Sequence, residues 1–360
     1  VPSEAEQLQI PTTVADVTPA WLTAALADRF PGSEVASVQP EGVHDGTAST
    51  TRLHVEYATS GPAGPPTMCV KASIESPHRE FVLKAGLFVK EALVYRELLP
   101  AISARVADCY ASASDAETGT GFLLLEDLDA RGARFCSAEE PLTPDQVAEG
   151  LDQLAALHSL HWGDPEITEP RWRHRGRRLD ERDPLEARML ASVPAACVTP
   201  HGGAVSHRFH DPELLGPAIA RLRTLDAASA TCLIHGDGHI GNFFLDADDR
   251  PGMADFQCVQ RGHYSHDVAM FVGSALDPID RRAHEERLVT GYLDSLARRG
   301  VTPPTFDEAW LGYRRHILYG LWAWLLTTSL YQSEVRLVTC VFRYGTAALD
   351  LDSLGAIGAT

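Results

Sequence analysis

The chain has 360 residues, with 31 Lys and Arg against 49 Asp and Glu and a formal net charge of −18. With 44% hydrophobic and 22% charged residues it can bury a sizeable core, which excludes a disordered protein, and its length suits two domains or one large two-lobed unit. The acidity argues against a sequence-independent nucleic-acid binder, whose phosphates it would repel, and suits a neutral or cationic small substrate.

Seven cysteines are scattered along the chain without a C-x-x-C pair, so neither a disulfide framework nor a zinc cluster is indicated. That usage fits a reducing compartment. The first residues, VPSEAEQLQIPTT, lack the basic and apolar stretches of a signal peptide. The longest apolar run, Ile317–Tyr331, is interrupted by Thr327, Thr328 and Ser329 and is shorter than the roughly 20 residues of a membrane span. It reads as a buried core helix, and a cytoplasmic protein without membrane contact is expected.

In chain order, 16–30 reads as a short helix with Thr18 as N-cap, Pro19 in its first turn and Trp21, Leu22, Ala25 and Leu26 on one face. Segments 50–57 and 67–74 read as strands joined by the turn-rich SGPAGPP. A helix is expected over 80–99 and a short apolar strand over 121–128. The composition then turns helical. Residues 143–162 carry Leu151, Leu154, Leu157 and His158 at helical spacing behind Thr143 and Pro144. Segment 163–212 is irregular and rich in Pro, His and Arg, 232–257 reads as strand–loop–strand–turn–strand, and 279–350 as helices. Strands first and helices later predict an α+β chain of two unlike lobes, divided near residue 128.

The most informative stretch is His235-Gly236-Asp237-Gly238-His239-Ile240-Gly241-Asn242, followed by Asp255-Phe256-Gln257. Asp237, Asn242 and Asp255 offer side-chain oxygens beside turns, the donors that a hard cation such as Mg²⁺ accepts. A further acid that binds no metal could orient a hydroxyl nucleophile. Zinc is the competing reading, because His235, His239, His263 and His266 crowd the same region. The glycine-rich flanks of His235 and His239 nevertheless oppose a helix that would bring both imidazoles to one ion.

The pattern H-G-D-x-H-x-x-N followed by D-F-Q resembles the catalytic loop and metal-binding segment of the aminoglycoside phosphotransferase and choline kinase group, small-molecule relatives of the protein kinases. With LLLEDL (123–128) and F-x-x-E-x-x-x-Y (88–95), it most resembles the ecdysteroid-kinase-like branch. The resemblance spans residues 40–275. It implies a protein-kinase-like two-lobed fold, an antiparallel-sheet lobe over 1–128 that binds nucleotide and a mainly helical lobe over 129–360, with 163–212 as an insertion or lid. Carried over by position, Asp237 matches the catalytic aspartate that orients the acceptor hydroxyl, and Asn242 and Asp255 match the Mg²⁺ ligands that bridge the phosphates of ATP. His235 and His239 match loop-supporting positions, His239 with a polar contact near the phosphates as the alternative. Asp267 matches a buried aspartate that fixes the loop, or else is simply an acid at a helix N-terminus.

On the nucleotide side, Lys71 stands in the strand pattern MCVKASI and is costly to bury alone. Glu91 shares a helical face with Phe88 and Tyr95 and is its expected partner; the resemblance implies the lysine–glutamate pair that binds phosphates. EGVHDGTAST (41–50) holds the place of a phosphate-covering loop, with Gly46 and Thr47 as candidate contacts, although a plain hairpin turn reads equally well there. Glu126, Asp127 and Leu128 fall at the family's inter-lobe hinge. Adenine would be held there by backbone groups, leaving the side chains for other tasks.

The acceptor side is less legible. RWRHRGRR (171–178) reads as an arginine-rich solvated loop or a lid rather than a nucleic-acid patch. Tyr313, Tyr319, Trp322, Trp324 and Tyr331 either line an apolar acceptor pocket or belong to the core. The expectation is an ATP- and Mg-dependent phosphotransferase acting on a small-molecule hydroxyl, a bulky apolar alcohol first and an aminoglycoside or choline-like cation second. The rivals are an inactive kinase-like nucleotide-binding protein and a metal-dependent hydrolase. Monomer and homodimer are both open.

Overall fold

The computed structural model describes residues 8–45, 49–58, 61–72, 79–172, 184–229 and 232–359. Gly46 and Thr47 therefore lie outside the described residues, as does all of the arginine-rich segment beyond Arg171 and Trp172. The chain forms two compact units, Val1–Pro100 with Val106–Ala133, and Ala101–Arg105 with Arg134–Thr360. The first is built on an antiparallel sheet and the second is mainly helical, the α+β kinase-like architecture that the sequence predicts.

In the first unit, β1 (Val35–Asp45), β2 (Ser49–Tyr57), β3 (Thr67–Ala72), β4 (Cys109–Asp115) and β5 (Thr120–Glu126) form one sheet in the order β1-β2-β3-β5-β4. The helix Pro19–Leu26 begins where Thr18 accepts the Trp21 N–H at 3.2 Å. Leu22 and Leu26 join Leu53, Val55, Met68, Val70, Phe122 and Leu124 in one core, and Trp21 meets Phe122 edge-on at 5.0 Å. The strand period of two sends Met68 and Val70 into this core and Cys69 and Lys71 to the opposite face. The helix expected over 80–99 is broken: Arg79–Lys84 ends at a turn, and Gly86, at φ +65°, is the left-handed N-cap of Leu87–Leu93. A π-helical turn, Val94–Leu98, follows. Of the segment 41–50, Glu41–Asp45 belongs to β1 and Ser49 and Thr50 to β2, and 46–48 lie outside the described residues.

The second unit contains two small sheets. β6 (Arg134–Phe135), β8 (Phe243–Leu245) and β9 (Pro251–Met253) form one, and β7 (Cys232–Ile234) with β10 (Gln260–Gly262) the other. Its long helices are Pro144–Ser159, Pro212–Ser229, Pro278–Arg298, Phe306–Leu326 and Glu334–Asp350. Thr143 caps the first through a reciprocal box with Gln146. At the centre lies Ser265–Ala275, buried at every position, as expected for a helix packed on all sides by other helices. The run around Ile317 is a core helix: Ile317, Leu318, Leu321 and Leu325 have no exposed surface. Among the described residues, no helix is long and apolar enough to cross a membrane.

Candidate active site

The loop His235–Asn242 leaves β7 and enters β8 through a 3₁₀ turn, Ile240–Asn242. Its first bend requires Gly236, at φ +80°, because a Cβ there would lie 2.3 Å from the Cys258 carbonyl oxygen. Asp237 is partly open to solvent, with 37% of its side chain exposed. Asn242 donates through Nδ2 to the Asp237 carbonyl at 2.7 Å and to Asp237 Oδ2 at 3.2 Å. Its amide oxygen is thereby directed away from Asp237. The β8–β9 hairpin brings Asp255 into the same neighbourhood: Phe243 pairs with Met253, and Ala254 N–H donates to the Asn242 carbonyl at 2.8 Å. Asp255 adopts φ +63°, a left-handed conformation that costs a non-glycine residue roughly 1–2 kcal/mol. Gln257 Nε2 donates to its Oδ2 at 3.2 Å.

Asp267 stands beneath the start of this loop with no exposed surface. It accepts the His235 N–H at 2.5 Å, the Gly236 N–H at 3.0 Å and the His158 Nε2 hydrogen at 3.0 Å. His158 Nδ1 in turn faces the Tyr292 hydroxyl at 2.7 Å. Burial pushes the Asp267 carboxyl up, but the hydrogen bond from His158 leads the effects that outweigh it and hold the pKa at about 2. Asp267 also sits in the first turn of its helix.

The four histidines that suggested zinc are occupied separately. His235 Nε2 faces the Ala254 carbonyl at 3.0 Å, and His266 Nε2 the Gly236 carbonyl at 3.3 Å. His263 Nδ1 accepts the Ser265 N–H. His239 Nδ1 accepts the Gly241 N–H at 3.0 Å, which places its proton on Nε2, 3.8 Å from Asp237 Oδ1. Among the described residues, the one group of three His, Cys or acidic side chains close enough to share an ion is His161, Asp164 and Glu166. Asn242 and Asp255 offer oxygen donors, which suit Mg²⁺ better than zinc.

In the first unit, Lys71 Nζ lies 2.8 Å from Glu91 Oε1 and 2.7 Å from Oε2, and both residues are buried beside Phe88 and Tyr95. Asp127 pairs with Arg52 at 3.0 Å, and Glu126 pairs with Arg131 at 2.9 Å while accepting the Asp108 N–H at 3.2 Å. Both carboxylates are thus engaged in ion pairs within the first unit. The Leu128 carbonyl accepts from Arg131 N and Ala133 N within that turn.

The late aromatics belong mostly to the core: Tyr313, Trp322 and Trp324 are buried, while Tyr331 is exposed and lies beyond the helix. Trp324 touches the loop, edge-on to His239 at 5.2 Å. Sequence reasoning missed His158 as a polar residue of the site, because its spacing marks only an apolar face, and it gave Gln257 and Tyr292 no part.

The model of the phosphotransferase enzyme family matches residues 75–311. No curated protein matches the chain. Among solved structures, a candidate aminoglycoside phosphotransferase from Ralstonia eutropha JMP134 is similar at a TM-score of 0.53 and 16% identity, covering 95% of this chain and 98% of that one. The ethanolamine kinase of Plasmodium vivax is similar at a TM-score of 0.52 and 11% identity, over 88% of this chain and 83% of that one. At such identities the likeness speaks to fold alone. The family match, which spans well over half of the 360 residues, decides the assignment: the chain belongs to the phosphotransferase enzyme family.

Proposed function

We propose that the protein is a small-molecule kinase, moving the γ-phosphoryl group of ATP to a hydroxyl of an amine-bearing acceptor. The observation that carries this is the arrangement of Asp237 against Asn242, with Asp255 delivered by the adjoining hairpin. Asp237 is the exposed carboxylate that would accept or orient the acceptor hydroxyl proton. Asn242 and Asp255 would hold Mg²⁺, which when bound neutralises charge on the transferring phosphates. Asn242 also restrains Asp237 through two hydrogen bonds, so the acid keeps one orientation. The Lys71–Glu91 pair presents a buried ammonium fixed in direction, suited to a phosphate oxygen, and the first unit is the nucleotide side in this reading. The backbone of 126–128 would take the adenine, and Gly46 and Thr47 the phosphates.

For the acceptor, an amine such as an aminoglycoside, choline or ethanolamine is better supported than a bulky apolar alcohol. The aromatics that favoured an apolar pocket are largely buried in the core. The two similar structures are described as an aminoglycoside phosphotransferase candidate and an ethanolamine kinase. A net charge of −18 suits a cation.

A mass-spectrometric screen for ATP- and Mg²⁺-dependent phosphorylation of aminoglycosides, choline, ethanolamine, macrolides and sterols tests the reading. Asp237→Asn should lose transfer by roughly 10²–10⁴-fold while still binding ATP. Turnover retained by that variant would remove Asp237 from its role, and an apolar product alone would reverse the acceptor order.

A further inference from the structure

The helix Ser265–Ala275 meets the His235–Asn242 loop twice. Asp267 takes the N–H groups at its start, those of His235 and Gly236. Two turns further along the same face, Ser274 Oγ accepts the Ile240 N–H at 2.9 Å. Asp237 lies in the span between the two grips.

Ser274 has no exposed surface, and Ile240 is buried against it. The Ser274 hydroxyl hydrogen is directed back into its own helix, toward the Met270 carbonyl at 2.7 Å and that of Phe271 at 3.1 Å. An oxygen lone pair is thereby left facing the loop. The Ser274 carbonyl accepts from the Arg343 guanidinium, which secures the same residue from the helix Glu334–Asp350. Ile240 opens the 3₁₀ turn that ends at Asn242, and Asn242 Nδ2 contacts Asp237 Oδ2. A continuous set of hydrogen bonds and one short turn thus runs from Ser274 to the carboxylate of Asp237.

We infer that Ser274 is a positioning residue for phosphoryl transfer, holding through Ile240 the turn that sets Asn242 against Asp237. This rests on the kinase reading above. Ser274 touches no reacting atom. Its effect is on how closely the loop keeps the geometry in which the acid and the metal-binding amide work together. Without the hydroxyl, the Ile240 N–H is buried with no acceptor, and the turn must shift to find one.

Ser274→Ala tests this with two readouts, amide hydrogen exchange at Ile240 and steady-state kinetics on a product found in the acceptor screen. The expected result is a folded variant whose Ile240 amide exchanges faster and whose kcat falls roughly 10- to 100-fold, the effect of a small misplacement at a reacting centre, with KM for ATP little changed. Ser274→Thr, which keeps the hydroxyl, should restore both. Unchanged exchange at Ile240 overturns the grip whatever the activity. Faster exchange with undiminished kcat, or a loss of thermal stability alone, overturns the positioning role. Failure of the unmodified chain to phosphorylate any acceptor sinks the kinase reading and the catalytic consequence together, while the exchange experiment still decides whether Ser274 holds the loop.

Discussion

Glu91 in the first unit and Asp267 in the second are both buried carboxylates of the candidate site, and the two are held in opposite ways. Glu91 is matched to a side chain, with the Lys71 ammonium against both of its oxygens. Asp267 is matched chiefly to the backbone, through the N–H groups of His235 and Gly236, with His158 completing it. A side-chain pair can be exchanged for another of similar volume, whereas a backbone amide stays whatever the sequence. The first arrangement therefore presents a charge, and the second dictates a chain path. Under the proposed function, that division suits a first unit that must offer a cation to nucleotide and a loop that must keep its shape.

Asp267 should show the largest effect. Asp267→Ala leaves two buried amides without an acceptor, at about 1–3 kcal/mol each, so chemical denaturation should show a loss of several kcal/mol. Combining Asp267→Leu with His158→Leu should recover little, because the orphaned groups belong to the backbone. Full recovery would show that the amides find other partners and that Asp267 does not shape the loop.

Lys71 should behave differently. Lys71→Met alone buries Glu91 without the cation at its oxygens and should cost about 3–5 kcal/mol. Lys71→Met with Glu91→Leu should regain most of that stability, since a buried ion pair often contributes no more than a well-packed apolar pair. Phosphoryl transfer should stay lost in the double variant. Stability and activity then separate in the first unit and fall together in the second. A double variant as unstable as the single one would erase the contrast.

This contrast also marks what the sequence reveals. Lys71 and Glu91 are legible because each violates a local pattern, a cation in an apolar strand and an acid on an apolar helical stripe. Asp237, Asn242 and Asp255 are legible as one compact motif. His158 is not, because it fits its helix as an ordinary inward residue and its partner Asp267 is 109 positions away. In the five-stranded sheet the strands missed are β1 and β4, its two edges. An edge tolerates Pro40 and Gly42 in β1, and Cys-Tyr-Ala-Ser-Ala-Ser in β4, because one side makes no ladder, so neither carries a strong strand pattern. The break at Gly86 is hidden for a related reason: a lone glycine in a helical pattern is usually tolerated, and only the left-handed φ shows that it ends a turn.

A smaller effect should appear on titration, at a histidine cluster beside the loop. His316 places Nδ1 2.7 Å from the Gly312 carbonyl and Nε2 3.0 Å from Asp226 Oδ1, a setting that favours its charged form. Burial works against that charge, but Asp226 outweighs it and raises the pKa above 6.5. Its neighbour His263, stacked on it at 5.2 Å, is driven down to about 3 by burial and by the His316 charge. His266 is lowered by burial as well. A raised group stabilises below its unfolded pKa, and that contribution is lost as pH rises through the folded value. A lowered histidine resists protonation when folded, so stability falls as pH drops below 6.5. The cluster should therefore stabilise most near pH 6.5, with an acid-side slope of at most about 1.4 kcal/mol per pH unit from His263. Denaturation midpoints between pH 7 and pH 5 should fall in the natural chain. In His263→Phe, which keeps the stacking but cannot titrate, they should fall less. An identical slope in both would clear His263 of the acid sensitivity and make His266, which faces the Gly236 carbonyl, the next histidine to replace.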